Sequence, residues 1–97
     1  MTDSLHRLQL EEGGRFLIKT WGDEAVAYDL LSGDTHFLDP LSLEITRYLS
    51  GTARSGEEIA DHLASNFDLP TDEHSLDYLH ATLSRLEAIG LLVVKSA

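Results

Sequence analysis

Apolar and polar positions change their period partway along the chain. From Phe16 to Leu38 the apolar residues fall in three short runs, Phe16 to Trp21, Ala25 to Asp29 and Asp34 to Leu38, separated by Gly22-Asp23 and Ser32-Gly33-Asp34. Runs of β-prone residues bounded by glycine turns predict three antiparallel strands. Val26 and Tyr28 share a face of the second strand. In the third, Thr35 and Phe37 lie on one side and His36 and Leu38 on the other.

From Asp39 onward the spacing is helical. Asp39 suits an N-cap and Pro40 the first helical position, which predicts a helix to about Leu49 with Leu41, Ile45, Tyr48 and Leu49 inward. Gly51 ends it, and Ser55-Gly-Glu-Glu58 has the spacing of a capping box, opening a second helix with Ile59, Ala60, Leu63 and Phe67 as its stripe. Pro70 breaks the pattern. Asp72 and Glu73 then precede a third helix whose Leu76, Leu79, Leu83 and Leu86 recur at three- and four-residue steps. Gly90 is placed to end that helix in a left-handed cap, and Leu91 to Val94 leaves as an extended tail able to pack on or pair with the sheet. The pattern therefore predicts an α+β domain, a three-stranded antiparallel sheet followed by a three-helix bundle, over 15–97, with 1–14 a loosely held N-terminal segment.

Length and charge narrow what such a domain does. Ninety-seven residues supply one small core, with which a large catalytic cavity would compete. The formal net charge is −10, and no Lys or Arg lies between Ser55 and Ser84 while Glu57, Glu58, Asp61, Asp68, Asp72, Glu73 and Asp77 all do. Such a surface repels phosphate and anionic lipid, so neither nucleic acid nor membrane is expected as a partner. The helices after residue 55 have a helix-turn-helix outline, but the candidate reading helix bears Asp77 and Glu87 against Arg85. With no cysteine there is neither a disulfide scaffold nor a thiolate nucleophile, and no apolar run reaches membrane-spanning length. A cytoplasmic protein is expected.

Catalytic and metal chemistry find little support. His6, His36, His62, His74 and His80 lack ligand spacing: the six residues separating His74 from His80 miss the four or seven that would share a helix face. The acidic pairs Asp23-Glu24, Glu57-Glu58 and Asp72-Glu73 sit at turns and helix starts, where charge already has a structural use. Nucleophile-elbow and phosphate-loop patterns are missing too. The expectation is a non-catalytic domain without metal or cofactor.

An interaction surface is what remains. A three-stranded sheet leaves strand edges whose N–H and C=O groups can pair with another extended chain. The third strand is the attractive edge, beside Tyr78, Thr82 and Arg85 of the third helix. Proline at His36 probes that edge if the His36 N–H faces the ligand. A plainer reading has Tyr78 packing on the core and Arg85 as a solvated charge.

Trp21-Gly-Asp-Glu24, Ser32-Gly-Asp-Thr-His36, Leu38-Asp-Pro40 and the run Leu79 to Leu92 with Gly90-Leu-Leu together resemble the PqqD-like peptide chaperone family, in the branch associated with a relative of HPr kinase. The resemblance spans roughly Phe16 to Val94. It implies a winged-helix-like RiPP recognition element that captures the leader of a ribosomally made precursor peptide by strand addition and presents it to a separate modifying enzyme, itself HPr-kinase-like in this branch. Carried onto this chain, Asp34, Thr35, His36, Phe37 and Leu38 supply main-chain pairing, while Tyr78, Leu79, Thr82, Arg85 and Leu86 line the opposite wall. Two other readings stay open: a scaffold or regulatory domain for a kinase-like partner, and an acidic winged-helix homodimerisation module.

Overall fold

Glycine turns and helix caps fix the local structure. In the computed structural model, which describes residues 6–96, the order is β1 (His6–Leu10), β2 (Phe16–Trp21), β3 (Glu24–Asp29), β4 (Thr35–Leu38), α1 (Pro40–Tyr48), β5 (Arg54–Ser55), α2 (Gly56–Asn66), α3 (Glu73–Ala88) and β6 (Leu92–Ser96). The molecule is mixed α+β, with two antiparallel three-stranded sheets, ordered β2-β3-β4 and β5-β1-β6.

The β2-β3-β4 sheet is the one its hydrophobic pattern predicts. Gly22 opens the two-residue β2–β3 loop at φ 61°, a left-handed value that a side chain would resist. Between β3 and β4 the turn is built on Asp29. Its carboxylate accepts from the Leu31 and Ser32 amides at 3.0 and 3.3 Å and forms a two-pronged ion pair with Arg15, at 3.0 Å from Nε and 2.7 Å from Nη2. A buried carboxylate needs such partners. The Arg15 bond, opposed by burial and aided by the Ser32 hydroxyl and the two amides, holds Asp29 far below the usual carboxylate range.

Each helix starts as its cap requires. Asp39 accepts from the Ser42 amide at 2.8 Å; Ser55 and Glu58 complete a reciprocal capping box; Asp72 accepts from the Ser75 amide at 2.7 Å. Arg7 adds a 2.7 Å bond to Glu58, tying β1 to α2. After α3, Gly90 takes φ 88°, the Gly90 amide donates to the Glu87 carbonyl, and the Leu91 amide donates to that of Leu86, each at 3.0 Å. This is the Schellman arrangement that left-handed glycine permits.

One core joins both sheets to the helices. Ala25, Ala27 and Leu38 come from the β2-β3-β4 sheet, Leu41, Ile45 and Leu49 from α1, and Ile59 and Leu63 from α2. Leu79, Leu83 and Leu86 of α3 join Leu8, Leu91 and Leu92 on the other side. Burying a leucine or isoleucine contributes roughly 1.5–3 kcal/mol before entropy is counted. Tyr48, read from spacing as an inward residue, is half-buried, stacked on His62 at 3.8 Å with the Arg54 guanidinium over its ring.

The second sheet changes two expectations. Within the segment 1–14, His6–Leu10 forms β1, the central strand of this sheet; residues 1–5 lie outside the described residues. The tail does not join the predicted sheet either. It becomes β6 and pairs with β1 in register from His6↔Ser96 to Leu10↔Leu92. Leu8 is thereby buried and β5, two residues long, interrupts the helical succession.

Candidate functional site

Pairing within the β2-β3-β4 sheet decides which backbone groups are free. β4 is in register with β3 as Ala25↔Leu38, Val26↔Phe37, Ala27↔His36 and Tyr28↔Thr35, and the Asp29 amide donates to the Asp34 carbonyl at 2.8 Å. In an antiparallel ladder, directly opposed residues alternate between exchanging hydrogen bonds and not. His36 and Leu38 therefore spend their main-chain groups on Ala27 and Ala25, and the Asp34 carbonyl is taken by Asp29 while the Asp34 amide donates to Ser32 Oγ at 3.1 Å, whereas Thr35 and Phe37 direct theirs outward. The His36 N–H faces β3, so proline at His36 would break the sheet itself. Among the described residues β4 pairs with no second strand, leaving that edge clear of β6.

The side chains follow the same alternation. Leu38 is fully buried and His36 half-buried on the helix side, while Thr35 and Phe37 look away, Phe37 57% exposed. Because β4 leads directly into α1, its edge ends at the Asp39 cap. That cap is also where α3 arrives. Tyr78 donates its hydroxyl to Asp39 Oδ2 at 3.1 Å, and Arg85, two turns later, donates from Nη2 to Ser42 Oγ at 2.8 Å. Thr82 between them is buried and donates to the Tyr78 carbonyl at 2.9 Å.

Charge organises this corner. Burial pushes Asp39 upward, but the Ser42 amide and hydroxyl, the Tyr78 hydroxyl and the Arg85 charge outweigh it and hold the carboxyl below its ordinary value. Reciprocally, the Asp39 charge and hydrogen bond raise the Tyr78 phenol. At neutral pH the corner thus holds an anion at a helix N-terminus beside a neutral phenol and a cation.

Of the ten residues singled out from sequence, the structure gathers Thr35, Phe37, Tyr78 and Arg85 at or near an exposed edge. Tyr78 is 49% exposed and free to touch a neighbour. Leu79 and Leu86, expected to line the wall, are withdrawn into the core at 1% and 0% exposure. His36 and Leu38 have their backbone bonds committed within the sheet, and Asp34 divides its own between Asp29 and the Ser32 hydroxyl of the turn. Asp39 and Ser42 were missed as site residues, although the Asp39-Pro40 cap marked their position.

The remaining polar groups mostly have structural partners. Glu58 and Asp72 are occupied as caps, and the backbone amides they accept hold both carboxyls below their usual range. His62 sits 2.7 Å from Glu44 and stacks on Tyr48. Among the described residues no group of three or more His, Asp or Glu side chains is placed to hold a metal ion, and no helix is long and apolar enough to cross a membrane. The chain matches no protein-family model, no curated protein and no solved structure.

Proposed function

We propose that this is a peptide-binding adaptor of the PqqD-like kind, which takes an extended leader segment as a fourth strand against β4 and presents the rest of that peptide to a separate modifying enzyme. The observation that carries the reading is the outward main chain of Thr35 and Phe37, lying beside the corner formed by Asp39, Tyr78 and Arg85. The succession α1, β5, α2, α3, β6, with β5 and β6 flanking β1, supports a winged-helix-like arrangement. In β-augmentation the backbone bonds contribute affinity and alternate side chains contribute selectivity. Ligand residues opposite Thr35 and Phe37 face away from the helices. Those opposite His36 and Leu38 face the Tyr78 side. The adaptor role is non-catalytic and needs no cofactor, since holding a strand requires no bond to be made or broken.

Titration with synthetic leader peptides from small reading frames beside its gene, followed through backbone amide resonances, tests the reading. Perturbations at Thr35, Phe37, Tyr78 and Arg85 are expected. Perturbations confined to the opposite edge, β2, or to the second sheet would overturn it.

A further inference from the structure

Arg85 is a cation fixed in place yet left without a counter-charge. Its Nη2 donates to the neutral Ser42 hydroxyl at 2.8 Å, and among the described residues no carboxylate lies within ion-pair distance of it. The chain has 17 Asp and Glu side chains, so a cation that meets none of them is informative. Arg7 and Arg15 hold Glu58 and Asp29, and Arg54 lies over the Tyr48 ring. Lys19, Arg47 and Lys95 are unpaired too, but among the described residues no side-chain bond fixes them.

The isolation has a structural cause. Asp39 is one hydroxyl away, but its oxygens are taken by the Ser42 amide and hydroxyl and by the Tyr78 hydroxyl. The acids of α3 itself, Glu73, Asp77 and Glu87, project roughly a quarter to half a turn round the helix from Arg85, at about 3.6 residues per turn. On the Arg85 side stands Tyr78, and between the two, at three- and four-residue steps, come the small side chains of exposed Ala81 and buried Thr82. The result is a seat walled by a phenol, floored by small residues and closed by a guanidinium.

We propose that the strand added to β4 carries an acidic side chain opposite Leu38, whose carboxylate enters this seat and pairs with Arg85. The inference rests on strand addition at β4, since ligand residues opposite Leu38 are the ones that face the helix side. Ser42 uses one N–H of the guanidinium, and the rest are disposed to meet a carboxylate two at a time. A lysine in the same place would meet Arg85 like to like. The net charge of −10 opposes a uniformly acidic peptide, so the chemistry selected is a single carboxylate in an otherwise neutral or basic segment.

A library of random peptides of about twelve residues, displayed on phage through their C-termini and selected on the immobilised full chain, tests this. Because each C-terminus is fused, an enriched carboxylate is a side chain. One acidic position within a strand-forming sequence is expected. The enriched peptide and its amide form, with Gln for Glu or Asn for Asp, are then titrated calorimetrically against the parent, Arg85→Gln and Thr35→Pro, each shown folded by circular dichroism. The amide form should bind the parent roughly fivefold or more weakly, yet bind Arg85→Gln as well as the acid does, the signature of a direct pair. Binders that Thr35→Pro releases but that show no acidic preference, or whose amide form is equally weakened against Arg85→Gln, would overturn the carboxylate inference and leave strand addition standing. Binders indifferent to Thr35→Pro, or no binders, would overturn strand addition and this inference with it.

Discussion

Proline at Thr35 and proline at His36 differ by one residue and should fail in different ways. Thr35 directs its N–H to the open side of β4, while the His36 N–H is spent on Ala27. Proline is tolerated on an edge strand when the missing N–H would have faced solvent. Thr35→Pro should therefore leave the unfolding midpoint close to that of the parent, yet deprive an added strand of a donor. A peptide carbonyl left unpaired in a desolvated edge costs about 1–3 kcal/mol, or roughly 5- to 150-fold in affinity. Thr35→Ala keeps the donor and isolates the side chain. His36→Pro removes a bond internal to the sheet and should lower stability by about 1–3 kcal/mol. Calorimetric titration with leader peptide, paired with guanidinium unfolding of each variant, separates the two effects. Equal affinity for Thr35→Pro and Thr35→Ala, with both folded, would refute strand addition at this edge.

Three further outcomes follow from the packing. Leu86→Ala, at a fully buried position in α3, should cost about 2–5 kcal/mol in chemical denaturation. Gly90→Ala should destabilise by about 1 kcal/mol or more by the same measurement: its φ is 88°, and an added methyl carbon would lie 2.5 Å from Arg15 Nη1, a group already held by Asp29. Asp29 has a lower pKa folded than unfolded, so its stabilisation is complete above about pH 4 and is lost as pH falls from there toward the depressed folded value. Denaturation curves collected from neutral to acid pH should show Asp29→Asn with a shallower acid loss than the parent.

What was legible in the sequence is local. Gly22, the Ser32-Gly33-Asp34 turn, the Asp39-Pro40 start, the Ser55/Glu58 box and Gly90 each act through neighbours a few residues away, and each element they bound is present. β1 is different. Leu8 and Leu10 alternate with Arg7 and Gln9 as a strand requires, but five residues specify no partner, and the strand that fixes β1 lies at the other end of the chain. The site shows the same division. Strand alternation correctly separated Thr35 and Phe37 from His36 and Leu38. Which of their main-chain groups were free depended on the β3 register. On α3, resemblance supplied positions but no rotation about the helix axis, so Leu79 and Leu86 were grouped with Tyr78 although they face the core. The Tyr78–Asp39 bond spans 39 residues, a separation that no local pattern encodes.

The pairing of β1 with β6 brings the first and last described residues, His6 and Ser96, directly opposite each other. A polypeptide entering and leaving at one point can be spliced into a surface loop of a host protein with short connectors, without stretching either partner. The same adjacency makes circular permutation of the described fold geometrically accessible: a short linker from residue 96 to residue 6 closes it, and an exposed turn such as Gly22-Asp23 offers a place to open it.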